Sequence, residues 1–343
     1  MRHKVTMNDV AKAAGVTQST VSHVINKSAS VSDGVYNRVQ EAIKELGYQP
    51  NIMAKSLKTK KTNVIGLIVP DICIPFFAEI AKEVEANIQK AGYILMLCNT
   101  FYSPELENKF VSTLIQYNVA GLIVSYGVSD PNIYHTIIEN EISVVTLDDK
   151  VDLVNIQIPS IEVDNFSGSD LAVSHLKEIG AKKIYYASEP LSNKALRNRF
   201  EGYKSAMLQY GYDFDDSMCF IESNQSDKVN MGYNIGAKII LNKEIDAVFA
   251  SNDQLACGII KRFLEYGISI PEEIAIVGYD NVVWSKFISP ALTTIAQPNV
   301  TMAQLGSRNL LTLIKGGTLP DDEQEIILQP SLIIRESTLR VYR

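Results

Sequence analysis

From residue 64 onward, short apolar runs alternate with longer stretches in which apolar positions recur every three or four residues. The run VIGLIV at 64–69 is apolar throughout, which predicts a strand buried on both faces. Helical spacing follows over 75–91. Next come a strand over 93–98, a helix over 104–117, and strands over 121–124 and 143–147. A second series begins at Ile161. It predicts helices over 168–179, 195–210, 229–241 and 254–266, with strands over 183–187, 247–250 and 274–279. Apolar strands alternating with helices imply parallel sheets covered on both faces, and two such series imply two Rossmann-like lobes.

The first sixty residues carry a different pattern. Residues 7–14 form a short helical stretch with Val10, Ala11 and Ala14 on one side. Gly15 breaks it, supplying the positive φ of a tight turn. Thr17 caps a second helix over 18–25, with Val21 and Val24 facing inward. Two short helices joined this way make a helix-turn-helix. A third helix starts at the cap Ser32, carries Val35, Val39, Ile43 and Leu46, and ends at Gly47. After Tyr48-Gln49-Pro50, Asn51 caps a short helix over 52–58 that is too brief to stand alone.

Charge sharpens this division. Residues 1–60 hold nine basic and four acidic residues, net +5, while the other 283 hold 23 basic and 35 acidic, net −12. A basic head on an acidic body points to a polyanion-binding module joined to one that does not bind polyanions. The 343 residues exceed one ordinary domain, and 46% hydrophobic with 21% charged is a globular composition. No apolar run approaches the roughly 18 residues of a membrane span, so no membrane partner is expected. Arg2 and Lys4 precede no apolar stretch, so no secretory leader is expected either. Cys73, Cys98, Cys219 and Cys257 lie far apart without a CxxC spacing, which argues against a disulfide framework or zinc site and for a reducing cytoplasm.

Ligands of doubly wound sheets sit outside the carboxyl ends of the strands, here in the cleft between lobes. The residues there are Asp71 and Phe76-Phe77 after the first strand, Asp148-Asp149 after the fourth, then Asn252-Asp253 and Asp280-Asn281. Arg197 and Arg199 open a helix of the second lobe. Phenylalanine offers an apolar face to sugar C–H groups, Asp and Asn take hydroxyls, and Arg donates to oxygens. Taken singly, each has an ordinary alternative as core, cap or surface ion pair; their joint placement singles them out. Trp284, just past Asp280, suits either ligand stacking or interior packing.

At the head, VTMNDVAKAAGVTQSTVSHVINKSASVS and ELGYQPNIMAKSLK resemble the lac/gal repressor (LacI/GalR) family of bacterial transcription regulators. The resemblance implies that the second helix enters the major groove, with Gln18, Ser19 and His23 reading bases. It places Thr17, Thr20, Ser22 and Asn26 against phosphates. It also makes 51–58 a hinge helix capped by Asn51, in which Leu57 is a minor-groove wedge, Ala54 the small neighbour and Lys55 stands where arginine is frequent.

The body continues the resemblance through PDICIPFFAEIAKEVE, ASNDQLACG and IAIVGYDN…SPALTTIAQP, so it covers nearly the whole chain. The family's core is of periplasmic-binding-protein type, so the implied fold class is α/β: a helix-turn-helix DNA-binding head over 1–61 and a two-lobed effector-binding and dimerisation core over 62–343. Phe76, Phe77, Asp148, Arg199, Asn252, Asp280 and Gln297 match ligand-contact positions of ribose-binding members. Ile74 replaces a frequent asparagine, and Asp149 an arginine. Asn193 stands where purine-binding members carry a key arginine. The implied effector is a sugar or sugar acid, with ribose and purines less well matched. The chain is expected to pass between lobes at 160–164, 290–294 and 321–325. That gives a first lobe of 62–160 plus 293–322 and a second of 161–291 plus 323–340. A homodimer on a pseudo-palindromic double-stranded operator is implied, acting as a repressor of carbohydrate-metabolism genes.

An enzyme on Rossmann-like lobes is the main competing class. No GxGxxG follows the first strand, and no Walker, HExxH or GxSxG motif occurs, so neither catalysis nor a cofactor or metal is expected. A transport-type sugar-binding protein would lack the basic head, and an architectural DNA binder would not need the large body.

Overall fold

The computed structural model describes residues 5–26, 29–48, 62–126, 130–151, 153–154, 156–222, 227–241 and 245–339. The chain divides into two compact units, Met1–Thr62 and Asn63–Arg343.

The head contains α1 (Met7–Ala14), α2 (Gln18–Asn26) and α3 (Asp33–Leu46). A reciprocal cap starts α1: the Asp9 amide donates to Thr6 Oγ1 at 3.3 Å and the Thr6 amide to Asp9 Oδ2 at 2.9 Å. Gly15 ends it at φ 63°, as its position predicts. The Thr17 hydroxyl accepts from the Thr20 amide at 3.2 Å, capping α2. Ser32 precedes α3 without a side-chain capping bond. Val10, Ala11 and Ala14 pack with Val21, Val24, Val39 and Ala42 into a small core closed by Tyr48. The expected hinge helix, with Asn51, Ala54, Lys55 and Leu57, lies outside the described residues.

The core unit is built on two sheets. The first contains β1 (Val64–Val69), β2 (Ile94–Asn99), β3 (Gly121–Ser125), β4 (Ser143–Leu147), β5 (Ser160–Val163) and β11 (Glu325–Leu328), in the order β11-β5-β4-β3-β1-β2. The second contains β6 (Ile184–Ser188), β7 (Cys219–Ile221), β8 (Ala247–Ala250), β9 (Ala275–Asp280), β10 (Thr293–Ala296) and β12 (Ser331–Ile333), in the order β12-β10-β9-β8-β6-β7. The β10/β12 pair is antiparallel; the other paired strands are parallel. Helices α4 (Pro75–Lys90), α5 (Pro104–Gln116) and α6 (Asn132–Glu139) belong to the first lobe. Helices α7 (Asn165–Glu178), α8 (Lys194–Gln209), α9 (Lys228–Ile240) and α10 (Asp253–Glu265) belong to the second, and α11 (Asn299–Ile314) packs back on α4, β3 and β4 of the first. Each sheet has an apolar cluster on both faces, which is why its strands read as unbroken apolar runs.

The sheets correct the expected division of the lobes. Residues 161–163 do not open the second series: Ile161 pairs with Leu147 of β4, and β5 also pairs with β11. Thr293–Ala296, expected in the first lobe, pairs with β9 in the second. Glu325–Leu328, expected in the second, lies at the edge of the first. The chain therefore passes between sheets at 164, inside the expected window, and then at 297–298 and 329–330, later than expected. The reason is local. β10 and β11 are four-residue strands whose sheet is set by register with a distant partner, and nothing in their own residues specifies it.

Helices α9 and α10 cross at two glycines. A Cβ on Gly232 would lie 2.1 Å from the Leu255 carbonyl oxygen, and one on Gly258 2.0 Å from that of Val229. Gly232→Ala is expected to lower stability by about 1–3 kcal/mol, because backbone rather than a flexible side chain must give way. A urea-unfolding midpoint equal to the parent's would show that the helices part freely.

Candidate functional site

Both lobes contribute to one inner chamber of about 40 Å³. From the first come Phe76 and Phe77, in the opening turn of α4 behind Pro75, and Asp148 just past β4. From the second come Arg199 on α8, Asn252 before α10 and Asp280 at the end of β9; Gln297 stands at the second crossing. Seven of the eight expected effector residues thus meet. Asp71 is not among the lining residues. Its Oδ1 instead accepts from the Cys73 amide at 3.0 Å, closing a local turn. Trp284 does not line the chamber either.

An aromatic wall builds one side. Phe76 and Phe77 meet edge to face at 5.0 Å, Phe77 meets Tyr126 at 5.8 Å, and Tyr126 meets Tyr102 at 5.5 Å. The polar side is held in place by backbone geometry. Asp280 and Asn281 have φ of 104° and 51°, a left-handed stretch that needs support. Fully buried Asp253 supplies it, accepting from the Val282 amide at 2.9 Å and the Thr294 hydroxyl at 2.6 Å. Arg335 adds a bond to Asn281 Oδ1 at 2.6 Å. Asn252 caps α10 through the Leu255 amide at 2.9 Å, which fixes its side chain.

Arg199 is the hub. It is 5% exposed, donating to Asn165 Oδ1 at 2.8 Å, to the Ser251 carbonyl at 2.7 Å and to Asp280 Oδ1 at 3.5 Å. Its guanidinium also lies 3.7 Å from the centroid of the Tyr279 ring. Gln297 Nε2 donates to the same Asp280 oxygen at 2.7 Å. A second group joins Glu189, which accepts from Lys228 Nζ at 2.7 Å and Asn252 Nδ2 at 2.9 Å.

Burial raises the Asp148 carboxyl to about 7, against the pull of Arg199 and with the push of Asp280. Burial also raises Asp280, again opposed by Arg199. Tyr126 is pushed up to about 12, chiefly by burial. Asp148 Oδ1 and Gln297 Oε1 are buried without a hydrogen-bond partner among the described residues. Unused acceptors beside aromatic faces are what a ligand rich in hydroxyl groups can satisfy.

Glu189, Lys228, Tyr102 and Tyr126 also line the chamber and were missed from sequence. Glu189 and Tyr126 directly follow β6 and β3, so the strand-end rule that selected Asp148 would have found them. Tyr102 lies three residues past β2 and meets the same rule, whereas Lys228 carries no such signal.

In the head, Gln18, Ser19 and His23 lie on the exposed face of α2, opposite the buried Val21 and Val24. The Thr17 hydroxyl meets those of Ser19 at 2.8 Å and Thr20 at 2.9 Å. Ser22 is half-buried, and Asn26 ends the helix. Among the described residues no helix is long and apolar enough to cross a membrane.

Residues 6–51 match the family described as bacterial regulatory proteins, lacI family, and residues 173–338 the periplasmic binding protein-like domain. The chain is 33% identical to the HTH-type transcriptional regulator DegA of Bacillus subtilis (strain 168), over 98% of each protein. It is similar to the lac repressor dimer bound to operator and the anti-inducer ONPF, with a TM-score of 0.85 and 27% identity over 98% of this chain and 100% of that one. It is also similar to a LacI family transcriptional regulator from Enterococcus faecium with bound ribose, with a TM-score of 0.70 and 31% identity over 80% of this chain and 98% of that one. A helix-turn-helix head and a two-lobed core, matched end to end by such relatives, make this chain a member of the lacI family of bacterial regulatory proteins, a DNA-binding transcriptional regulator rather than an enzyme.

Proposed function

We propose that this regulator is a homodimeric repressor of carbohydrate-metabolism genes whose grip on a pseudo-palindromic operator answers to a sugar or sugar acid held between the core lobes. One observation carries the reading. Asp148 of the first lobe and the Arg199–Asp280 pair of the second share a buried chamber with the Phe76 and Phe77 rings. The chamber's carboxylates outnumber its cations, Asp148, Glu189 and Asp280 against Arg199 and Lys228, which favours hydroxyls over a phosphate. The relatives support the same reading, one solved with ribose and the other as a dimer on its operator. Gln18, Ser19 and His23 are the proposed base readers. Thr17, Thr20, Ser22 and Asn26 are the proposed phosphate contacts, and Asn51, Ala54, Lys55 and Leu57 the proposed hinge set. Asp71 is kept only as a turn residue.

Operator affinity measured by fluorescence anisotropy, with and without a panel of sugars, tests the reading; a panel that never changes affinity removes the effector part. His23→Ala is expected to cost about 1–3 kcal/mol on the operator and little on random DNA, as the loss of a base contact does. Equal losses on both would reassign His23 to the backbone.

A further inference from the structure

The inner chamber opens beside a second, larger one. At about 40 Å³ the inner space is smaller than a sugar ring, so a ring enters it only as the two lobes part, whereas the outer one already measures about 380 Å³, within the range of small-molecule sites. The two share Tyr102, Tyr126 and Asn193 as a common wall. Of the residues found only in the outer chamber, Asp149 and Arg197 stand out in the sequence as cleft residues, and the others do not.

Its chemistry is polar and balanced. Two acids, Glu107 and Asp149, face two bases, Lys194 and Arg197, so formal charge cancels. Each base is already partly engaged, and Arg197 also acts electrostatically on Asp149, so neither stands as an isolated cation. Lys194 is paired with Glu162, and Arg197 donates to the Leu191 and Ser192 carbonyls at 3.3 and 2.9 Å. Ser125 is 1% exposed and belongs to this wall, and its hydroxyl has no hydrogen-bond partner among the described residues; the Tyr102 hydroxyl is in the same position. Buried hydroxyls left over beside phenol rings, with donors and acceptors of both signs, suit an uncharged unit bearing several hydroxyl groups. They do not suit a phosphate or a purely apolar group.

We infer that the outer chamber is a second glycosyl subsite, so that the effector is a disaccharide or glycoside whose one ring enters the inner chamber while a neutral second ring fills the outer one. The inference rests on the sugar-effector reading above and narrows it.

The test uses the full-length protein and matched sugar pairs: glucose with cellobiose and maltose, xylose with xylobiose, and galactose with lactose. Binding is followed by calorimetry and thermal shift for the parent, Asp149→Ala and Ser192→Trp. Asp149 and Ser192 line only the outer chamber, and Ser192 is exposed, so a tryptophan there fills the space from a loop. The expected result is one disaccharide binding roughly tenfold or more tightly than its monosaccharide, with that gain lost in both variants and monosaccharide binding unchanged. If Ser192→Trp does not fold, Asp149→Ala carries the same comparison. Monosaccharide binding as tight as that of every disaccharide, unchanged in the variants, would overturn the second subsite and leave the sugar-effector reading standing. Binding of no sugar of either size would overturn both.

Discussion

Replacing Arg199 with alanine is expected to cost about 3–5 kcal/mol of folding stability at about pH 8 and to abolish any effector response. The guanidinium is buried, and its loss strands Asp280 and the Asn165 and Ser251 oxygens it serves. It also removes the cation that opposes the rise of Asp148 and Asp280, so both carboxyls would titrate still higher. The penalty is therefore expected to shrink toward about pH 5, where Asp148 is neutral and less uncompensated charge is left inside. Urea unfolding at both pH values measures this. A cost below about 1 kcal/mol, equal at both, would mean that water replaces the guanidinium freely.

Asp148→Asn is expected to act in the opposite direction. The carboxyl titrates near 7 in the folded chain, against 3.8 as its ordinary value. Below about pH 4 it is neutral in both folded and unfolded chains, and its contribution is constant. As pH rises from about 4 to 7 the unfolded chain ionises while the folded chain resists, and stability falls. Above 7 both are ionised and the loss is complete, at most about 4 kcal/mol from the size of the shift. Asparagine has nothing to ionise. It also tolerates the left-handed backbone that Asp148 adopts, at φ 60°. The variant should match the parent near pH 4 and exceed its stability near pH 8. Parallel stability curves across that range would place the carboxylate in contact with water.

The two variants bear on a site that was only partly legible. Asp148 and Asp280 stand out because they follow apolar strands, and the sequence alone marks where such strands end. Their raised titration depends on each other and on Arg199, which lies 81 residues from Asp280 in the chain. No local pattern records that distance. Asp71 satisfied the same strand-end rule but does not line the inner chamber, and one of its carboxylate oxygens closes a local turn. Asp253 was visible only as the neighbour of Asn252. Its role, holding the left-handed Asp280–Asn281 stretch, requires knowing that β10 delivers Thr294 beside it. In the fold, the long amphipathic helices were readable from their period, and the six-residue strand β1 from its unbroken apolar run. Most strands of three or four residues were not, the apolar run of β8 being the exception. β7, β10, β11 and β12 are too short to show a period, and the eight-residue helix α6 lies between two strands that the reading placed in succession. The head was the most legible part, since Gly15 and Gly47 both adopt the positive φ that a glycine at a helix end predicts.

The strand order has a consequence for how the protein is made. β11 and β12 are separated by Gln329 and Pro330 alone, yet one completes the first sheet and the other the second. A nascent chain that has reached residue 324 has every other strand of both lobes and finishes neither. β5 and β10 then still present an open edge. The two lobes cannot be completed one after the other as the ribosome delivers them; both await the same nine residues, 325–333. A premature stop anywhere before those codons is expected to yield not one folded lobe and a tail but a chain with two unfinished edges, a substrate for chaperones and proteases.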